Sequence, residues 1–140
     1  MAQPRLFSIK EIADTCGIPL VDFMIPCYYC SKWLTTHDKI LYEHSGLHVV
    51  WKDELPSAAC QPCIRASARF DFLFGFTRTL SYRQYREVFS YEWADVTVRC
   101  LICFRKLNVH EKNEIANRNL PLFVVKDALR AQCCLCKIGL

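Results

Sequence analysis

Eight cysteines in four Cys-x-x-Cys pairs constrain this chain more than any other feature: Cys27/Cys30, Cys60/Cys63, Cys100/Cys103 and Cys133/Cys136. Twenty-nine residues separate Cys30 from Cys60 and again Cys103 from Cys133, so adding 73 to the first four numbers gives the second four. One unit has been used twice. Tetrahedral zinc takes four ligands at about 2.3 Å from sulfur, and a two-residue gap lets one knuckle supply two of them. Two knuckles close one site, so the repeat predicts two structural zinc ions, one per module. Four sulfurs per ion leave no open position for water, which argues against zinc catalysis. The gap between knuckles exceeds the usual ~15–20 residues and leaves room for a small sheet and a helix. Cys134 is an alternative to Cys133, and the repeat spacing favours Cys133.

Each half of the 140-residue chain is about 70 residues, a size that rarely buries enough apolar surface without help from metal. Ten cysteines would also suit a secreted disulfide scaffold. Residues 1–7 are polar with no apolar core behind them, so no export signal is expected. Reduced thiols then favour metal. No stretch approaches ~18 apolar residues, and no membrane span is expected. The net charge of +4 is mild for a nucleic-acid binder and suits an acidic peptide. Hydrophobic content of 52% leaves apolar side chains to line a groove or an interface.

The expected fold is α+β, with two similar small zinc-binding domains joined by a linker helix behind an N-terminal helical arm. The arm is residues 1–26, the first zinc domain 27–63, the linker helix region 64–99 and the second zinc domain with its tail 100–140. Ser8 and Glu11 have the form of a capping box. Ile9, Ile12, Ala13 and Cys16 then share one face, which would bury Cys16, and Gly17 ends the helix. The arm is expected to have no counterpart before Cys100. Residues 37–42 read as a short helix or strand, and residues 47–51 as a strand. His37, Asp38, Lys39 and Leu47 recur as His110, Glu111, Lys112 and Leu120, with residues 122–125 as the second strand. The text of residues 51–55 recurs at 125–129 displaced by one, which predicts an insertion or bulge in one copy. Between the modules, residues 64–76 carry an apolar stripe at helical spacing behind Pro62. A helix this apolar is expected to pack against both modules. Ser81 and Gln84 could start another helix through Phe89.

His37 and His110 occupy equivalent positions, but four sulfurs already fill each site, so both are expected near the metal or on the surface rather than as ligands. There is no Gly-x-Ser-x-Gly and no phosphate-binding glycine loop, so no enzymatic activity is expected. Two modules bridged by an apolar helix suggest a groove for an amphipathic peptide helix, read through leucines at i, i+3 and i+4. Arg99, Lys126 and Arg130 would rim it with positive charge.

The full cysteine spacing resembles that of papillomavirus early protein six, a viral oncoprotein family. Local text agrees: Ile18-Pro19-Leu20, Pro26-Cys27, Trp33-Leu34-Thr35, Trp51-Lys52-Asp53 and Val98-Arg99-Cys100-Leu101-Ile102-Cys103. These details are similar to the cutaneous branches more than to the mucosal high-risk one. The resemblance implies a pocket between two zinc domains for acidic Leu-x-x-Leu-Leu helices of host proteins. Carried over by position, the pocket includes Tyr29, Leu47, Val50, Lys52, Ile64, Ser67, Phe70 and Asp71, with Arg99 and Lys126 as its cationic rim. Ala128 stands where many relatives have an arginine, and Arg130 is the candidate replacement.

The resemblance implies a host Mastermind-like coactivator as partner, with repression of Notch-dependent transcription. The alternative within the family is recruitment of a host ubiquitin ligase to redirect degradation; outside it stands a zinc-dependent nucleic-acid-binding regulator. The C-terminus lacks the Ser/Thr that high-risk members use, so no PDZ ligand is expected, and degradation of the tumour suppressor is not carried over. Weak or no DNA binding, a possible weak self-association, and a location in host nucleus and cytoplasm complete the expectations.

Overall fold

The 73-residue repeat reaches well beyond the knuckles. A computed structural model describes residues 8–89 and 92–138, and the chain divides into two compact units, Met1–Ile64 and Arg65–Leu140. The residues read for an export signal, and the last two residues of the tail read for PDZ binding, lie outside the described residues.

In the first unit, α1 (Ile9–Cys16) is capped by the Ser8 side chain, which accepts from the Glu11 N–H at 3.0 Å. A 3-10 turn follows at Leu20–Asp22, then the first knuckle and α2 (Thr36–Ser45). Thr35 and Asp38 form a complete capping box at the start of α2, and Gly46 closes it at φ 72°, where a side chain would be strained. Residues 37–42 are therefore helix. Strands β1 (Val50–Lys52) and β2 (Leu55–Ser57) make an antiparallel hairpin. Only the end of the predicted 47–51 strand pairs. Helix α3 (Gln61–Gly75) begins in this unit and ends in the next.

The second unit adds β3 (Phe76–Ser81), α4 (Tyr82–Val88), a 3-10 turn at Trp93–Asp95 and β4 (Val98–Cys100). Then come α5 (Val109–Arg118), β5 (Pro121–Val125), β6 (Ala128–Ala131) and α6 (Cys134–Lys137). The sheet order is β3-β5-β6-β4, antiparallel except for the parallel β4–β6 pair. At the end of α3, an added Cβ on Gly75 would lie 2.9 Å from Lys126 Cγ. With no Cβ there, the backbones come close enough for the Gly75 carbonyl to accept from the Lys126 N–H at 2.7 Å.

Superposing the numbering corrects one expectation. The N-terminal arm does have a counterpart: Ser8 and α1 match Ser81 and α4, and the two 3-10 turns match residue for residue. The signal was hidden because only the cap is shared in the text, while the apolar positions carry different side chains. Ile12 and Tyr85, Ile25 and Val98, Leu34 and Leu107, Tyr42 and Ile115, Val49 and Leu122, and Ala58 and Ala131 are all buried pairs at the 73 offset. Each such pair fills the same place in its own core.

The hairpins correct a second. The displaced text predicts an insertion, but Lys52 pairs with Leu55 and Val125 pairs with Ala128, so both loops have two residues and the offset stays at 73. The register irregularity lies instead in β3, between Phe76 and Arg78. Cys16 corrects a third, for it is exposed while Ile9, Ile12 and Ala13 are buried. It sits at the last position of α1, where the apolar face has run past what covers it. Phe70, Leu73 and Phe74, expected to pack, are 61%, 65% and 75% exposed. Among the described residues no helix is long and apolar enough to cross a membrane.

Candidate metal centres

Each knuckle is built by backbone before metal is considered. The Tyr29 N–H donates to Cys27 Sγ at 3.4 Å, and the Ile102 N–H donates to Cys100 Sγ at the same distance. The Cys60 and Cys133 N–H groups donate to those same two sulfurs, each at 3.5 Å. The residue after the first knuckle of each module, Ser31 or Phe104, takes a left-handed conformation at φ 65° or 63°. This strained bend for a non-glycine residue turns the chain back. Parallel bridges Cys27–Ala58 and Cys100–Ala131 then bring the second knuckle beside the first.

The result is two clusters, Cys27/Cys30/Cys60/Cys63 and Cys100/Cys103/Cys133/Cys136, with all sulfurs in each within 4.8 Å of one another. Cys30 and Cys60 sulfurs are 3.8 Å apart, and the Cys100–Cys136 and Cys103–Cys133 pairs are 3.7 Å apart. A disulfide requires about 2.05 Å. Sulfurs at about 2.3 Å from a tetrahedral ion stand roughly 3.8 Å from each other. The spacing is that of zinc ligands, and the clusters hold two structural zinc ions.

The protonation of the thiols makes the same point. Burial raises Cys27, but the N–H groups of Cys60, Cys30 and Tyr29 outweigh it and lower the thiol to about 6. In the same cluster burial and the neighbouring thiols push Cys60 and Cys63 up. In the second cluster Cys100 and Cys103 donate to Cys133 and hold it down against burial, with the Cys136 N–H and Arg105 assisting. Cys103 is pushed up by its bonds to Cys100 and Cys133, and Cys136 by burial to about 12. One sulfur in each cluster ionises readily, while Cys60 and Cys63 in the first and Cys103 and Cys136 in the second resist a further negative charge. A divalent cation supplies the charge that lets all four ionise. Cys134 is exposed and outside the cluster, so the repeat spacing chose correctly. His37 and His110 are exposed and belong to neither cluster.

Two acidic residues behind the knuckles are structural parts that the cysteine spacing does not reveal. Asp38 accepts from the Gln61 N–H at 3.1 Å, and Glu111 accepts from the Cys134 N–H at 2.6 Å. Each carboxylate thus closes its own capping box and ties the helix to the second knuckle. Glu111 also pairs with half-buried Arg105. Burial raises the Glu111 carboxyl, but N–H donors from Asn108 and Cys134, with Arg105, hold it below the usual carboxylate range. The recurrence of Asp38 as Glu111 in the sequence was the available signal.

The surface residues separate by unit. In the first, Tyr29, Val50 and Lys52 are exposed, Leu47 is half-buried and Ile64 is buried. In the second, Phe70 is exposed and Ser67 and Asp71 are half-buried, all on α3. Lys126 reaches Asp71 at 3.2 Å. Arg99 and Arg130 are Cα partners across β4–β6, and both engage Phe104. Arg99 Nη1 donates to the Phe104 carbonyl at 2.9 Å, and the Arg130 guanidinium lies 5.3 Å from the Phe104 ring centre.

Comparison with known proteins follows from this geometry. The sequence model of the family described as Early Protein (E6) matches residues 27–136, from the first knuckle cysteine to the last. Protein E6 of Human papillomavirus type 1 is 29% identical over 138 residues, covering 99% of this chain and 98% of that protein. Protein E6 of Human papillomavirus type 5b is 32% identical, covering 93% of this chain and 83% of that protein. Protein E6 of Human papillomavirus 19 is 34% identical, covering 96% and 81%. This is a family of viral regulatory proteins rather than of enzymes. With two four-cysteine zinc clusters in a duplicated α+β chain and likeness along nearly its full length, the protein belongs to the papillomavirus early protein E6 family.

Proposed function

We propose that this viral adaptor captures acidic Leu-x-x-Leu-Leu helices of host proteins, a Mastermind-like coactivator first among them, and thereby represses Notch-dependent transcription. The observation that carries the reading is the outer face of α3. Phe70, Leu73 and Phe74 stand at i, i+3 and i+4 and are all more than half exposed. Apolar side chains grouped in this way mark an interaction surface, and a leucine-bearing helix is the complementary shape. In the same unit Arg99, Lys126 and Arg130 offer cations to the acidic residues of such a peptide. In the first unit, exposed Tyr29 and Val50 with Lys52 repeat the combination of apolar surface and positive charge. Action as an adaptor requires no catalytic step, and the two zinc ions serve the fold. Such a partner would place the protein in the host nucleus and cytoplasm.

The test is a binding panel on purified, zinc-loaded protein. Mastermind-like and ubiquitin-ligase Leu-x-x-Leu-Leu peptides are titrated at low and high salt, with a duplex DNA control. The reading expects the Mastermind-like peptide to bind most tightly and to lose little affinity with salt. A steep fall with salt and preference for DNA would support phosphate contacts instead. A ligase peptide that wins the panel would replace the coactivator with the ligase.

A further inference from the structure

The second unit contains a cavity of about 390 Å³ that neither the zinc clusters nor the Arg99/Lys126/Arg130 group uses. Its walls include Ile102, Ile115, Leu120, Phe123 and Ala131, with Lys137 at its edge. The volume falls within the range of about 300–1,000 Å³ common to ligand pockets. The lining is apolar apart from Lys137 and Gln132, so it would reject a polar ligand and accept aliphatic side chains.

Moving six of the nine wall residues back by 73 positions gives Tyr29, Tyr42, Leu47, Val50, Ala58 and Ile64 in place of Ile102, Ile115, Leu120, Phe123, Ala131 and Lys137, and the other three become Tyr28, His48 and Ala59. Four of these, Tyr29, Leu47, Val50 and Ile64, are first-unit residues assigned above to a captured helix. The match is structural as well as numerical. The Tyr29 and Ile102 N–H groups make the same bond to the first knuckle sulfur. Val50 pairs with Ser57 as Phe123 pairs with Arg130, at the same step of equivalent hairpins. The duplicated fold thus places these walls of the second-unit cavity at positions equivalent to those first-unit residues. We propose that the second-unit cavity is a second docking site, which takes the leucine face of an acidic amphipathic helix.

The ligand's chemistry rests on the function proposed above, whereas the cavity and its equivalence do not. Two substitutions tune the second site. Ile102 replaces Tyr29 and removes a hydroxyl, which makes the wall purely aliphatic there. Lys137 replaces Ile64 and puts a cation at the edge, in the last turn of α6, where an acidic residue of the incoming helix would pair with it.

The test uses full-length, zinc-loaded, ¹⁵N-labelled protein and a synthetic acidic helical peptide bearing Leu-x-x-Leu-Leu. A Val50→Glu variant removes the first-unit response. The amides of Leu101, Ile102, Leu120 and Ala131 are expected to shift on titration in both the original and Val50→Glu proteins. Ile102→Glu should weaken that response by about tenfold or more, because it buries a charge against apolar walls. Leu120→Glu serves the same purpose should the knuckle substitution disturb zinc. A response confined to first-unit amides would overturn the second site while leaving the function proposed above intact. A second-unit response without a first-unit one would uphold the second site and remove Tyr29, Val50 and Lys52 from the helix-binding surface. Pocket amides that move with protein concentration in the absence of peptide would assign the recess to a second copy of the chain and also overturn the proposal.

Discussion

Lys39 and Lys112, 73 residues apart, close the same turn in the two units. Lys39 Nζ donates to the Leu20, Val21 and Phe23 carbonyls at 2.7, 3.0 and 3.1 Å. Lys112 Nζ donates to the Trp93 and Val96 carbonyls, the counterparts of the first and last of these. Both lysines are buried at 3% and 7% exposure, where an ammonium is tolerated only because the backbone solvates it. Trp93 returns a bond from its indole N–H to the Lys112 carbonyl at 3.1 Å. These lysines pin each 3-10 turn to the helix behind it, and thus the arm to the zinc module.

Lys39→Met and Lys112→Met are therefore expected to destabilise by at least about 2 kcal/mol each, since bare buried carbonyls cost about 1–3 kcal/mol apiece. Thermal melts of zinc-loaded protein measure this. A midpoint unchanged in both variants would show that the turns are held by something else.

Glu111 sets an acid limit on the second unit. Its folded pKa is lowered, so its contribution is fully present above the ordinary glutamate value of about 4.3 and is lost as pH falls through the lower folded value. Glu111→Gln is expected to be less stable at neutral pH by about 1–3 kcal/mol. The difference between the two proteins should shrink on acidification. Zinc release also follows pH, so the comparison is of the difference between two denaturation series, not of either alone. A constant difference across the range would rule the carboxylate out.

Thiol chemistry should separate ligands from bystanders. Cys16 and Cys134 are exposed and outside both clusters, so these two are expected to react with iodoacetamide in zinc-loaded protein. All ten cysteines should react after chelation and unfolding. By native mass spectrometry Cys134→Ser should keep two zinc ions, while Cys133→Ser and Cys63→Ser should each keep one. Retention of both ions by Cys63→Ser would contradict the four-sulfur site.

Arg99→Ala and Phe70→Ala address the proposed capture of a helix. Each is expected to weaken Leu-x-x-Leu-Leu peptide binding by about 1–2 kcal/mol, roughly tenfold. Phe70 is mostly exposed, so its removal should leave the melting temperature nearly unchanged. Unaltered affinity in both variants would remove α3 and the arginine from the binding surface.

The features legible in the sequence are those set by short spacing. A Cys-x-x-Cys pair, a Ser81/Gln84 cap or the β-branched and aromatic run at residues 122–125 depends on residues a few positions apart, and each can be read without knowing what packs where. The zinc ligands, the duplicated α+β modules and the start of α4 were readable for that reason. Burial is different, because it depends on which distant segment arrives to cover a side chain. Cys16 lies on an apolar face yet is exposed, and Phe70, Leu73 and Phe74 form an apolar stripe that the structure leaves largely uncovered. The arm's membership in the repeat was hidden for the same reason: Ile12 and Tyr85 fill equivalent places with side chains that share no text. Tertiary structure alone revealed that Lys39 and Lys112 reach back to their turns, and that Ile102, Ile115, Leu120 and Phe123 line a recess in the second unit.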